Sequence, residues 1–230
     1  MKKLKLLLLC ALLAVPFLQS CNSKADQPSM YAVVTIKTYG LTYFGLVDNG
    51  EKIWIGDNSL VPNYPAKDGQ RALIYFTPLE TKMEGYTYNA KVYAIVNIET
   101  KPVLLLTDPQ YDTLGMDGID MADASIGGGY LNLDVLVRSD DFTKHDINLV
   151  DNQVLPMEEQ EGYISLELRH NSKGFNGGQL RKGMICFRLD MYDPTYIEGL
   201  KGLYIRHIPI GQEGDNPVYE YKKIDLPGKK

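Results

Sequence analysis

Residues 163–169 read Tyr-Ile-Ser-Leu-Glu-Leu-Arg, in which Ile164, Leu166 and Leu168 occupy every second position. Successive side chains of a β-strand point to opposite faces, so this alternation predicts a strand with one face on a core and the other toward water. Residues 130–138 and 87–98 repeat the pattern, and 185–189 form a shorter example. Half-buried strands of this kind are typical of antiparallel sheets. We therefore predict an all-β fold.

A turn motif supports this prediction in the first third of the chain. Asp48-Asn49-Gly50 separates the apolar runs 43–47 and 52–55. Asparagine and glycine both tolerate positive φ, so Asn-Gly between two such runs predicts a β-hairpin. No stretch of 12 or more residues has helical periodicity, and short helical turns are expected only at 81–85 and 195–199.

The aromatic residues are unevenly distributed, which suggests two domains. Residues 31–93 contain 11 of them, as many as the 137 residues that follow. The segment 108–129, rich in aspartate and glycine, has the composition of a connection. Small barrels need about five strands and sandwiches about seven. We predict a small OB-like barrel at 30–107, a connector at 108–125 and an antiparallel β-sandwich at 126–225.

The N-terminus has the features of an export signal. A lysine-rich start precedes an apolar run of 12 residues, 6–17. This run is shorter than the roughly 20 residues that span a bilayer, so it fits a signal peptide at 1–20. The next stretch, Leu18-Gln19-Ser20-Cys21, resembles the lipobox of bacterial lipoproteins. The resemblance implies lipid attachment at Cys21, and the alternative is an ordinary signal peptide followed by a coincidental cysteine.

Lipidation would make the membrane a partner through the anchor, with the polar residues 21–29 as a tether. Asn22 is not the aspartate associated with inner-membrane retention, so we expect the outer membrane. Both its periplasmic face and the cell surface remain open.

Charge and cysteine content narrow the function. The net charge is −5, and removal of 1–20, with three lysines and no acid, makes it −8. A nucleic-acid-binding protein needs a basic surface, so we expect no nucleic-acid partner. Cys10 leaves with the signal and Cys21 is committed to lipid, which leaves Cys186 as the one thiol of the mature chain. No disulfide scaffold can form.

Several structural stretches resemble the NigD-like family of bacterial lipoproteins. They are residues 98–103, 114–120, 130–132, 146–150 and 163–171. The resemblance implies a lipobox, an N-terminal OB-type barrel and a C-terminal β-sandwich. It implies no catalytic residue, metal or cofactor. The family takes its name from a bacteriocin gene cluster, so the resemblance also implies an immunity-like role.

Aromatic residues of the first domain are the main candidates for ligand binding. OB-type barrels bind ligands on one face, partly by stacking on aromatic rings. The candidate side chains are Trp54, Tyr43, Tyr75 and Tyr86. The alternative is that they fill a small core, because tyrosine and tryptophan are also good strand formers.

A second candidate group lies where strand 163–169 ends. Arg169, His170 and Asn171 are three consecutive hydrogen-bond donors that could hold a carboxylate or a sugar hydroxyl. The alternative is that they stabilise the following loop. His207 is expected to be semi-buried on the same face as Leu203 and Ile205.

The sequence has no metal or nucleophile motif. The histidines lack zinc-ligand spacing, and Asp117, Asp120 and Asp123 do not follow the EF-hand pattern. The alternative is a structural calcium ion at these aspartates, because oxygen-rich loops can bind calcium. We expect no cofactor and no metal, and we predict a lipid-anchored envelope protein that binds a glycan or an envelope protein without catalysis. The alternative is a carbohydrate-active or other hydrolytic enzyme with two scattered carboxylates, because such a pair need not be close in sequence.

Overall fold

The computed structural model of the protein describes residues 27–109, 113–141, 144–155, 157–175 and 177–229. The predicted signal peptide and Cys21 lie outside these residues. No helix in the described ranges is long and apolar enough to cross a membrane.

The first domain is a closed five-stranded barrel. Its strands are β1 (Met30–Tyr39), β2 (Thr42–Val47), β3 (Lys52–Asp57), β4 (Arg71–Pro78) and β5 (Tyr88–Asn97), in the order β1-β2-β3-β5-β4. Only the β3–β5 pair is parallel. Alternate residues fill the barrel, with a core of Val34, Ile36, Ile53, Ala72, Ile74, Phe76, Ala90 and Val92. The predicted OB-like barrel is confirmed.

The predicted hairpin at Asp48-Asn49-Gly50 joins β2 to β3. The Val47 N–H donates to the Glu51 carbonyl over 2.8 Å, and Gly50 has a φ of 90°. This turn sets the register in which Phe44 of β2 pairs with Trp54 of β3.

The long strand β5 departs from the predicted alternation. Phe76 pairs with Val92 but Tyr75 pairs with Ala94, so Tyr93 is an extra residue in a β-bulge. A bulge moves the side chains beyond it to the opposite face. As a result Ile95 packs on the barrel core, whereas Val96, predicted to share the face of Val92, is 52% exposed.

The second domain is a β-sandwich. Its strands are β6 (Glu99–Pro102), β7 (Leu104–Leu106), β8 (Asp120–Gly127), β9 (Tyr130–Ser139), β10 (Asp146–Asn152), β11 (Tyr163–Asn171), β12 (Gln179–Arg188), β13 (Gly202–His207) and β14 (Glu220–Asp225). One sheet has the order β14-β13-β11-β10-β7 and the other β6-β12-β9-β8. Neighbours are antiparallel except in the pairs β7–β10, β11–β13 and β6–β12. The predicted C-terminal sandwich is confirmed.

A helix, α1 (Pro194–Gly199), matches the predicted helical turn at 195–199. Residues 81–85 form no helix; they end in a turn at Gly85, whose φ is 80°. Glycine adopts this backbone conformation readily, and it is not a helical one.

The strand pairing places the boundary between the two domains before residue 99, whereas the sequence predicted that the barrel ends at residue 107. Strands β6 and β7 pair with β12 and β10 of the sandwich, so residues 99–106 belong to it. Strand β8 pairs with β9 and occupies part of the segment predicted as a connector. Hydrophobic alternation indicates that a residue lies in a strand, but it does not indicate which strand is its neighbour.

The apolar faces of the two sandwich sheets meet in one core. Its fully or almost fully buried members include Leu131, Leu133, Val135, Leu149, Leu166, Ile185, Phe187 and Ile205. These residues come from five strands, and in each strand they occupy alternate positions. The alternation of Ile164, Leu166 and Leu168 therefore corresponds to the inner face of β11.

An ion pair of the barrel, between Arg71 and Asp48, is hydrogen-bonded to the sandwich. Arg71 begins β4, and its side chain is fully buried. Its guanidinium donates to both carboxylate oxygens of Asp48, over 2.6 and 2.8 Å, and to Asn132 Oδ1 of β9 over 2.7 Å. Asn132 Nδ2 donates back to Asp48 Oδ2 over 2.9 Å. The guanidinium carbon lies over the Tyr130 ring, 4.4 Å from its centroid.

Asp48 also lies against the tight turn between β8 and β9. A Cβ atom on Gly127 would lie 2.7 Å from Asp48 Cβ, and one on Gly128 would lie 2.7 Å from Asp48 Oδ1. Gly128 and Gly129 have φ values of 58° and 84°. The triple glycine thus permits both the turn and the close approach of the barrel.

We predict that Asp48→Ala destabilises the protein by about 3–5 kcal/mol, because it leaves the Arg71 charge buried without its counterion. Urea unfolding of the variant and the parent protein measures this difference. The double variant Asp48→Ala/Arg71→Met should recover part of the loss, since it leaves no charge buried.

Asp190→Ala is the matched control. Asp190 pairs with Arg188 over 3.4 Å, but both side chains are about half exposed. Its removal should have a much smaller effect. Equal losses for Asp48→Ala and Asp190→Ala would contradict the role given to the Arg71 pair.

Candidate functional site

Three aromatic side chains meet on the outside of the barrel and define what we call the aromatic patch: Phe44, Trp54 and Tyr86. Phe44 and Trp54 are cross-strand partners on β2 and β3. The Tyr86 ring centroid lies 5.4 Å from that of Phe44 in an edge-to-face arrangement and 5.1 Å from that of Trp54. All three side chains are partly exposed. The patch therefore offers ring surface to a ligand.

Hydrogen bonds of Tyr86 and of its neighbour Thr87 hold the Tyr86 ring beside β3. The Thr87 N–H donates to the Lys52 carbonyl over 2.8 Å, and the Lys52 N–H donates to Thr87 Oγ1 over 3.2 Å. The Tyr86 N–H donates to the Met83 carbonyl over 3.2 Å. A ring fixed in this way loses little conformational entropy when it contacts a ligand.

A shallow depression of about 540 Å³ lies beside Phe44 and Tyr86. Its other lining residues are Lys37, Thr38, Tyr39, Leu46, Lys52 and Asp68. Tyr39 and Leu41, at the turn between β1 and β2, are almost fully exposed. The patch thus continues into exposed apolar surface at this turn.

Charged groups at the rim have both signs. Lys37 pairs across the strands with Phe44, and Lys52 begins β3. Asp68 faces them from the neighbouring loop, where its Oδ1 accepts from the Thr38 N–H over 2.9 Å. An apolar centre with a polar rim is the usual arrangement of a protein-binding surface.

The sequence candidates Tyr43 and Tyr75 lie away from this patch. Tyr43 packs against the barrel core, with its ring 5.6 Å from that of Tyr64, and burial raises its pKa. Tyr75 lies on the outside of β4, 6.3 Å from Tyr31. Adjacent strand residues face opposite ways, which is why Tyr43 and Phe44 separate.

Arg169 lies on the outer face of β11 but is only 3% exposed. Its Nε donates to the Gly115 carbonyl over 2.7 Å, and its Nη1 lies 3.6 Å from Glu167 Oε2. Arg206 Nη2 contacts the same oxygen at 3.2 Å. Arg169 therefore fastens the segment around Gly115 onto the sheet.

His170 points to the opposite side and is 2% exposed. Its Nδ1 bonds to the Gly118 carbonyl over 2.9 Å, and its Nε2 lies 2.7 Å from His145 Nδ1. The two rings stack with centroids 5.0 Å apart. Burial lowers the pKa of His170. Asn171 accepts the Lys173 N–H at Oδ1 over 2.9 Å. The structure thus does not bring these three side chains together at one surface.

The single thiol of the mature chain and the three aspartates of the predicted connector region also have structural contacts. Cys186 lies fully buried under the barrel, its Sγ 3.1 Å from Asn132 Oδ1, and burial raises its pKa. Asp117, Asp120 and Asp123 each accept a different backbone N–H, from Ser172, Ile210 and Ala124. No group of three potential metal ligands converges within the described residues.

The sequence patterns did not identify three residues of the patch and the turn beside it as binding candidates: Phe44, Tyr39 and Leu41. The hairpin register was available as a signal, because a turn at Asp48-Asn49-Gly50 places residue 44 opposite residue 54. Tyr86 was identified, but its proximity to Trp54 depends on the parallel pairing of β3 with β5. That pairing joins distant parts of the chain and leaves no local pattern.

Family models match both domains. Residues 33–98 match the NigD-like N-terminal OB domain and residues 102–210 match the NigD-like C-terminal β-sandwich domain. No curated protein matches the chain.

Solved structures from Bacteroides and Parabacteroides share the whole fold. A protein of unknown function from Bacteroides vulgatus is 26% identical, with a TM-score of 0.70, over 86% of this chain and 93% of its own. A Parabacteroides distasonis protein provisionally described as toxin-related is 28% identical, with a TM-score of 0.64, over 86% and 94%. A NigD-like immunity protein from Bacteroides caccae is 22% identical, with a TM-score of 0.60, over 85% and 92%.

The buried histidines predict how stability depends on pH. Burial lowers the pKa of both His170 and His207. At pH values just below the ordinary histidine pKa of about 6.5, the unfolded chain therefore binds more protons than the folded one. Stability contributed by the neutral rings is present above that pH and is lost as pH falls. Urea midpoints should therefore decrease from about pH 7.5 to about pH 5.

His170→Gln should flatten this dependence, because one of the two titrating rings is gone. Asp193→Asn serves as the control: the pKa of this carboxyl is lowered by hydrogen bonds from Thr195, so its effect lies below the tested range. A midpoint that stays constant across the range in the parent protein would contradict the prediction.

Proposed function

Since this chain belongs to the NigD-like family, with its N-terminal OB domain and C-terminal β-sandwich, we propose that it is a non-enzymatic binding protein of the cell envelope. In this proposal, lipid on Cys21 holds it at the outer membrane. Its partner is a polypeptide that contacts the aromatic patch and the exposed turn beside it.

The aromatic patch is the observation that carries the proposal. OB-type barrels bind ligands on the face of their second and third strands and with the loop between the first two. Phe44 and Trp54 lie on those strands, and Tyr39 and Leu41 lie at that loop. Aromatic side chains supply large contact areas at low entropic cost and often dominate protein interfaces.

The geometry of β1 supports access to this surface. The tether enters β1 at Met30, and the exposed turn follows its last residue, Tyr39. Ten residues of strand extend about 33 Å. An anchor at Cys21 therefore joins the barrel at the opposite end of β1 from the turn, which leaves the patch free for a partner that approaches from solution.

An immunity-like role is the specific form of this function that we propose. The protein would protect its own cell by binding a secreted, toxin-like polypeptide. The Bacteroides caccae relative is named an immunity protein, and the Parabacteroides distasonis relative is described as toxin-related. The surface chemistry supports a protein partner, and the names of the relatives suggest its biological class.

Hydrolysis by scattered carboxylates is the competing function. It would need one carboxyl that stays protonated beside one that is ionised. Asp48 and Asp134 instead form ion pairs with Arg71 and Lys182, over 2.6 Å in each case. This pattern favours binding over acid–base catalysis.

We predict that Trp54→Ala and Tyr86→Ala each weaken partner binding about tenfold or more, because they remove central ring contacts. The mature chain would be screened against secreted and envelope proteins and against a glycan panel, and affinities of the hits measured by calorimetry. Tyr196→Ala is the control, since Tyr196 is 56% exposed on α1 of the sandwich domain and is not part of the patch. Protein hits that both patch variants retain would contradict the patch, and hits confined to glycans would contradict a polypeptide partner.

We predict that Cys21→Ser moves the protein from the membrane fraction to the soluble fraction, because the serine hydroxyl cannot replace the lipidated thiol. Fractionation of cells that express either form measures this change. Lys24→Ser, in the same tether, should leave the protein in the membrane fraction. Membrane sedimentation of the Cys21→Ser form would contradict lipid anchoring.

A further inference from the structure

A groove of about 470 Å³ lies between the barrel and the outer face of sheet β6-β12-β9-β8, and we call it the interdomain groove. Its volume is within the range of about 300–1,000 Å³ that is typical of ligand pockets. Residues from both domains line it, so it exists because the domains are held together. It lies beside the Arg71–Asp48 contact and at the other end of β1 from the exposed turn.

Its apolar surface is aromatic on the barrel side. Tyr88 is partly exposed and lines the groove, and its ring packs on that of the buried Phe76 with centroids 5.7 Å apart. Tyr31, which is 72% exposed, stands at the rim. Met184, which is partly exposed, lines the sandwich side. The cavity can therefore remove an aliphatic chain from water.

The charged residues that line the groove are all carboxylates: Asp48, Glu51, Asp123 and Asp134. Arg71 pairs with Asp48, and Lys182 Nζ lies 2.6 Å from Asp134 Oδ2. Among the described residues, no lysine or arginine nitrogen lies within ion-pair distance of Glu51 or Asp123. Glu51 Oε2 accepts a hydrogen bond from Asn49 Nδ2 over 3.0 Å, and Asp123 interacts with Lys182 only at longer range. The four carboxylates thus outnumber the two cations that pair with them, and the groove has an excess of negative charge.

Two of these carboxylates oppose each other directly. Asp123 of β8 and Asp134 of β9 are cross-strand partners. Like charges in this position destabilise a sheet. Lys182 relieves part of the repulsion, but its side chain is 60% exposed. A second cation entering the groove would find this negative potential together with ring faces.

We propose that the interdomain groove binds a lysine or arginine side chain of a partner polypeptide. The cationic head pairs with Asp123 and Glu51, and the aliphatic stem packs between the aromatic rings and Met184. Cations are attracted to aromatic faces as well as to carboxylates, and long basic side chains bury their stems against apolar surface. A ligand with a cationic head and an apolar stem matches both kinds of lining.

This inference is independent of the proposed function, because it uses neither the aromatic patch nor the anchor. A free amine lacks the neighbouring backbone and side chains that would contact exposed Tyr31 and Met30 at the rim. We therefore assign the cation to a polypeptide, with an apolar residue next to the basic one.

The test uses the mature chain and the peptide Ac-Phe-Lys-Phe-NH₂, with binding followed by calorimetry and by NMR shifts. The same peptide with norleucine or glutamate in the centre should bind at least about fivefold more weakly, since it lacks the cation. Asp123→Asn should weaken binding of the lysine peptide about threefold to fivefold. Lys182→Met should strengthen it, because Asp134 loses its resident partner.

Matched variants separate this effect from net charge. Glu198→Gln on exposed α1 and Lys82→Met in the loop before β5 change the charge equally but lie outside the groove. Both should leave affinity unchanged, as should Trp54→Ala. The inference is overturned if Glu198→Gln weakens binding as much as Asp123→Asn, or if Trp54→Ala abolishes it. Equal affinity for butylamine alone would overturn the assignment to a polypeptide.

Discussion

The relative position of the two domains depends on the bonds that the buried pair Arg71 and Asp48 of the barrel makes to Asn132 of the sandwich. Burial alone lowers the pKa of an arginine, but the hydrogen bonds and charge of Asp48 outweigh it and raise the pKa of Arg71. The guanidinium is thus charged and needs every partner that it contacts. One of those partners, Asn132, belongs to the sandwich, and Asp48 lies against the triple-glycine turn. A shift of either domain would break several of these bonds at once.

Each domain has its own hydrophobic core, so the ion pair is not what drives either to fold. A buried ion pair gains little net free energy, because desolvation of both charges offsets their attraction. Its directional bonds instead select one arrangement of the domains. That arrangement encloses the interdomain groove, and it buries Cys186 beneath the barrel.

The two proposed binding surfaces have different physical origins. The aromatic patch arises within the barrel, from the pairing of β2 with β3 and the bonds that hold Tyr86 beside them. The groove arises between the domains and combines carboxylates from β8, from β9 and from the turn between β2 and β3. One end of β1 lies near the groove and the other near the patch, so the surfaces can act on different parts of one partner or on different partners.

Local sequence patterns were sufficient to predict the all-β fold, the two domain types, the hairpin at Asp48-Asn49-Gly50 and the buried face of β11. Each depends on residue spacing or on the conformational freedom of a few neighbouring residues. These patterns also identified Trp54 and Tyr86 as candidates for ligand binding, but not Phe44. They placed Tyr43 and Tyr75 in the same group of candidates. Only the tertiary structure decided that 99–106 pair with the sandwich, that Tyr93 forms a bulge and that Arg71 meets Asp48 and Asn132. These features join residues far apart in sequence, and their stability comes from contacts that exist only once the sheets have closed and the domains have met.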